Sequence, residues 1–217
     1  MSMALQSSQL SWLASTLPVN SHAGVTEKVL RDFYGRVGDF REELERLNDW
    51  EFHAILLRSR ETPTHYKWHL GTAPDKSFTI WLHEYKPRAI RSGGYAQTIH
   101  NHRYPMTALL LTGGYRYTQY EVGHTGADEA AEVRTISSRQ ITGGAIYSMR
   151  ESDFHSVTEI QDGTVSLLVQ GRPLRPYSIS VDAQSCRIAR HVPIEGRIND
   201  LRSTLTTAHR RLHHAEK

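Results

Sequence analysis

From about residue 50 onward, short runs of β-branched and aromatic residues are cut apart by turn residues, and this punctuation restricts the fold more than any other feature. The breaks are Ala73-Pro74-Asp75-Lys76, Gly93-Gly94, Gly113-Gly114, the stretch Gly123 to Gly126, Gly143-Gly144 and Asp162-Gly163. Between them the sequence predicts strands over 52–58, 64–70, 77–85, 96–101, 106–112, 114–122, 131–136, 145–149, 155–160, 164–170 and 177–181. Many short strands at regular spacing argue for a sandwich or barrel. Asp162-Gly163, set between two apolar runs, reads as a hairpin turn.

Helical patterning is confined to the ends of the chain. Over 24–48 the residues Val25, Val29, Phe33, Val37, Phe40, Leu44 and Leu47 recur every three or four positions, the period of one helix face. Thr26 is the expected cap, and Gly35 and Gly38 divide the run into two helices. Leu10, Trp12, Leu13 and Leu17 suggest a short docking helix ended by Pro18. After Val181 the texture turns helical again, with a stripe of Ile194, Ile198, Leu201 and Leu205 behind Pro193 and a polar, frayed tail ending in His213-His214. The expected division is a helical segment over 1–50, a β-barrel over 51–182 and an extension over 183–217, all within a single domain.

Composition excludes several classes. One cysteine, Cys186, leaves no intramolecular disulfide framework and no cysteine-based zinc cluster. A formal charge of +3, without a concentrated basic run, does not indicate nucleic-acid binding. No apolar run approaches the roughly 20 residues that span a bilayer. With no leader pattern at the start, the expectation is a cytoplasmic protein with neither membrane nor nucleic-acid partner.

The chemistry concentrates in Ile99-His100-Asn101-His102-Arg103 and, further on, Phe154-His155-Ser156-Val157. In an extended chain His100 and His102 share a face while Asn101 points away. Two imidazoles on one face, joined by a third from a later strand, can hold a metal ion and leave positions open for reactants. His65 and His69 also share a face on a predicted strand and are read as incidental.

These motifs resemble the two signatures of the cupin superfamily. Gly94 stands six residues before His100 and Gly113 eleven after His102; Gly144 stands eleven before His155. The resemblance covers roughly residues 70–182, and its wording is closest to the cysteine dioxygenase-like branch, through Ile99 to Arg103, Tyr115 to Tyr120, and Phe154 to Val157 followed by Val165-Ser166-Leu167. It implies a jelly-roll β-sandwich barrel with N-terminal helices and a short C-terminal helical tail. It also implies a mononuclear non-haem Fe(II) site of His100, His102 and His155, acting with O2 on a small polar, amino-acid-like metabolite, and a homodimer. Where many cupins carry a fourth-ligand glutamate, this chain has Met106 and Thr107. Where thiol dioxygenases follow their serine with a histidine and a tyrosine, it has Leu168 and Gln170, so the proton relay of that branch is missing. Tyr104, Tyr117 and Arg91 are the candidate catalytic groups. His83, Tyr85, Gln97 and Arg150 are candidates for substrate binding, since an arginine can clamp a carboxylate bidentately. The competing expectations are a metal-dependent lyase or isomerase on the same scaffold and a metal-free binding protein.

Overall fold

A computed structural model of the chain describes residues 12–13, 15–17, 23–124, 131–193, 201 and 204. Among the described residues, α1 (Ala23–Tyr34), α2 (Val37–Glu45) and α3 (Asp49–Leu56) precede the sheets, after helical residues at 12–13 and 15–16. Twelve strands follow, β1 (Arg60–Glu61), β2 (His65–Thr72), β3 (Phe78–Tyr85), β4 (Ile99–His100), β5 (Met106–Thr112), β6 (Gly114–His124), β7 (Ala131–Thr142), β8 (Ile146–Met149), β9 (Phe154–Thr158), β10 (Val165–Gly171), β11 (Ser178–Val181) and β12 (Ile188–His191). They form two antiparallel six-stranded sheets. The first runs β1-β2-β3-β10-β5-β8 and the second β12-β11-β4-β9-β6-β7, so the fold is the expected jelly-roll β-sandwich.

The first sheet is buried on both faces. Outward, Leu70, Phe78, Ile80, Leu109, Leu167 and Val169 pack under Val29, Leu30 and Phe33 of α1, with Leu13, Leu17, Phe40 and Ile55 completing that layer. Burying one such large side chain contributes about 1.5–3 kcal/mol, so α1 is held by its stripe rather than by helix propensity. Inward, alternate residues Trp81, Tyr85, Met106, Ala108, Leu110, Tyr147, Met149 and Leu168 meet Tyr115, Tyr117, Ile141 and Val157 of the second sheet.

Several expectations change. The run 52–58 is the helix α3, not a strand. Its start is fixed by a capping box in which the Asn48 side chain accepts from Trp50 and Glu51 backbone N–H groups and Glu51 returns to the Asn48 N–H. Thr26 lies buried inside α1 and does not cap it. The helical break falls at Gly35-Arg36, whereas Gly38 sits within α2. Asp162-Gly163 joins strands of opposite sheets and makes no hairpin, because β9 pairs with β4 and β6 while β10 pairs with β3 and β5. Beyond Val181 the second sheet gains β12, paired in register with β11. Of the C-terminal stripe, Leu201 is helical and exposed; Ile194, Ile198 and Leu205 lie outside the described residues.

Glycine is required where the chain crosses between sheets. Gly113, between β5 and β6, has φ 71°, and a Cβ there would fall inside contact distance of Thr164. The Thr164 hydroxyl occupies that space, donating to Gln161 O at 2.7 Å and accepting from Gly114 N at 3.0 Å.

Candidate metal centre

Two short strands of the second sheet bring the histidines together. His100 and His155 are cross-strand partners between β4 and β9, so their side chains leave the same face side by side. Strand geometry persists past His100: Asn101 N donates to Ile179 O at 3.0 Å, and its side-chain oxygen accepts from Ile179 N at 2.7 Å. Asn101 thus faces away, fully buried, and His102 returns to the face of His100. The ligand nitrogens of His100, His102 and His155 lie within 4.8 Å of one another.

Each ring is oriented by its surroundings. His100 Nδ1 donates to Thr98 O at 2.9 Å, which leaves Nε2 as the free lone pair. The Tyr95 ring packs 4.2 Å from that of His100, while its hydroxyl donates to Asn101 O at 2.7 Å. Tyr104 stacks on His102 with ring centroids 5.4 Å apart. Tyr117 lies 5.4 Å from His155, and its buried hydroxyl has no partner; nor has His155 Nδ1. Burial holds the imidazoles neutral: it takes His100 down to about 4, and it pushes His102 and His155 well below the usual range, helped by their mutual proximity.

This donor set fits a metal ion. Neutral imidazoles are the ligating form, and His102 Nε2 and His155 Nε2 stand 3.0 Å apart. Two adjacent ligands each about 2.1 Å from one ion have that separation. The cluster contains no carboxylate, and Met106 and Thr107 supply none. Three nitrogens suit iron, copper, nickel or zinc rather than magnesium or calcium.

The other candidate residues divide by position. His83 and Tyr85 stand on the inner face of β3, where His83 stacks on His65 at 4.4 Å and Tyr85 packs 5.6 Å from Tyr115. Tyr115 in turn shares a hydrogen bond of 2.8 Å with Tyr147. Arg91 is engaged by backbone, donating to Ile160 O at 2.8 Å and Lys86 O at 3.3 Å. Arg150 is an exposed turn residue beside Asp153. Gln97 is half-buried in the turn Tyr95–Gln97 that leads into β4.

On the wall that faces the cluster, sequence reasoning named His83 and Tyr85 and read His65 and His69 as incidental, but it passed over Lys67. His65, Lys67 and His69 alternate onto the inner face of β2, and Lys67 Nζ sits 4.3 Å over the Trp81 ring and 3.3 Å from Gln170 Oε1. The signal was present in the alternation of His65, Lys67 and His69 along the strand, but lysine on a strand reads first as a solvated edge.

No family model matches the sequence, and no curated protein matches it. Among solved structures, KdgF from Halomonas sp. is similar over 52% of this chain and 87% of its own, at 12% identity and a TM-score of 0.37. The DMSP lyase DddQ from Ruegeria pomeroyi DSS-3 is similar over 62% of this chain and 66% of its own, at 14% identity and a TM-score of 0.39. A mutant form of Bacillus subtilis oxalate decarboxylase OxdC is similar at 16% identity and a TM-score of 0.36; it matches 54% of this chain, which spans 27% of the decarboxylase. All three are cupin-fold proteins.

Proposed function

We propose that the protein is a metal-dependent enzyme, a mononuclear non-haem iron(II) oxygenase acting on a small polar metabolite. The observation that carries this reading is the convergence of three neutral imidazoles, without a carboxylate, on the buried face of a jelly roll. Iron(II) held there by His100, His102 and His155 would supply the redox chemistry and activate dioxygen.

The chain's own residues carry the remaining tasks. Thr98 O fixes the His100 tautomer, and Tyr95 wedges its ring. The apolar residues between the sheets exclude bulk water, which strengthens every polar contact made inside. Tyr104, beside His102, keeps its proton, since burial pushes its phenol up to about 12. The phenol therefore stays a hydrogen-bond donor, on the residue whose ring stacks on His102.

The second reading is a lyase or isomerase in which the ion acts as Lewis acid and a tyrosine moves the proton, which Tyr104 could do only if the ion and substrate offset the effect of its burial. Metal analysis by mass spectrometry on anaerobically purified protein separates the two, alongside oxygen-uptake screening. One iron per chain, lost in His102→Ala, together with substrate-dependent oxygen uptake, is the expected result. Zinc, manganese or nickel without oxygen uptake would turn the assignment to the lyase or isomerase. Absence of bound metal after reconstitution would overturn both and leave a binding protein.

A further inference from the structure

The wall opposite the histidine cluster carries positive charge without a counter-charge. Arg60 on β1 and Lys67 on β2 are direct cross-strand partners, an arrangement of like charges that destabilises a sheet. The row continues from Lys67 to His83 on β3 and Ser166 on β10. Among the described residues no carboxylate lies within ion-pair distance of Lys67 or Arg60, although the nearby buried Lys86 has Glu61 at 2.5 Å. Lys67 reaches only the amide oxygen of Gln170 and the face of Trp81, and it stands 6.0 Å from the Tyr104 ring that stacks on His102. Three buried groups on this wall lack partners, the Trp81 indole N–H, His83 Nε2 and His69 Nδ1.

We propose that this wall is a subsite for an acid group, and that the ligand taken up between Lys67 and the histidine cluster is a short dicarboxylate rather than a zwitterionic amino acid. One carboxylate lies against Lys67, with Arg60 at the rim, and the other faces the histidine cluster. The argument is one of charge balance. Neutral imidazoles leave the charge of a divalent ion uncompensated at the histidine cluster, and Lys67 and Arg60 leave two positive charges on the facing wall. An ammonium group would meet a cation at either end. A carboxylate on Lys67 gains a charge-assisted hydrogen bond in a partly buried site, and Arg60 steers the anion toward the opening. Burial, together with Arg60, takes the Lys67 ammonium down to about 7, so the group lies in a range where a bound anion keeps it charged. The assignment of the far carboxylate rests on the metal-enzyme reading; that of the near one does not.

Pairs in which an ammonium group replaces one carboxylate test the proposal: malonate against glycine and succinate against β-alanine, with acetate and inorganic phosphate as further probes. Binding is read by tryptophan fluorescence, to which Trp81 beneath Lys67 contributes, and by calorimetry, on metal-free and zinc-loaded protein. At least one dicarboxylate is expected to bind zinc-loaded wild type about ten-fold or more tighter than its amino-acid counterpart, the factor one charge-assisted hydrogen bond supplies. Lys67→Met is expected to remove that preference and Lys67→Arg to keep most of it. Metal-free protein should bind the same acid more weakly but still in a Lys67-dependent way. Equal binding within each pair, unchanged affinity in Lys67→Met, or tighter binding of phosphate than of every dicarboxylate would each overturn the proposal. Failure of the metal reading looks different: no zinc or iron is retained, while metal-free anion binding remains sensitive to Lys67.

Discussion

At the scale of single residues, polar groups without partners mark where the interior departs from what stability alone favours. Tyr117 buries a hydroxyl with no partner against His155. Tyr117→Phe is therefore expected to leave thermal stability unchanged or raise it by about 1 kcal/mol, as removal of an unsatisfied buried group does. Tyr147→Phe has the opposite sign, since it orphans Tyr115 in a fully buried pair, and is expected to cost about 1–3 kcal/mol in urea unfolding. Lys67 follows the first pattern. Its folded value of about 7 lies below the unfolded one, so the folded state binds fewer protons between there and about pH 10.5 and wild-type stability rises across that window. Lys67→Met should melt higher than wild type at about pH 6.5, and its advantage should shrink as pH rises through that window. A melting advantage that does not change with pH would contradict the assignment.

At the scale of elements, the legible parts of the chain were those where period and burial agree. β5 was readable because Met106, Ala108 and Leu110 face one core while Leu109 faces the other, giving the continuous apolar run of a doubly buried strand. α3 was misread because Phe52, Ala54 and Leu56 alternate like a strand, yet Phe52 and Leu56 are exposed and only Ile55 is fully buried. The decisive signal was Asn48 with Glu51 three residues on, a local cap that outweighs an accidental alternation. Asn48→Ala is expected to cost about 1 kcal/mol, measured by denaturant melting. The Asp162-Gly163 turn shows a different limit, because turn chemistry reports a reversal but not which sheet the next strand joins. Gly113 holds such a crossing, and Gly113→Ala should cost more than about 2 kcal/mol through positive φ and the Thr164 contact together. The histidine cluster was readable because the strand period places His100 and His102 on one face, whereas the Lys67 wall depends on a β2–β3 register that the sequence does not display.

At the scale of the whole molecule, stability follows the neutral histidines in its interior. His69 is buried against Trp81, and burial, with Arg58 nearby, takes it down to about 4; His65 is lowered to a similar value by burial and by Lys67. Both values lie below the unfolded one, so unfolding takes up protons under about pH 6.5, and stability is lost as pH falls from there toward 4. Metal-free protein should accordingly melt progressively lower through that range, and His69→Gln should flatten the profile. No described helix is long and apolar enough to cross a membrane. The separation of the two inner walls has a consequence for how such a molecule can diversify. Ion-holding side chains come from one sheet and its following loop, and the facing cations and donors come from the other. On the proposed reading, substitutions on the Lys67 side would alter ligand choice without disturbing the histidines, so ligand preference and metal holding could change independently.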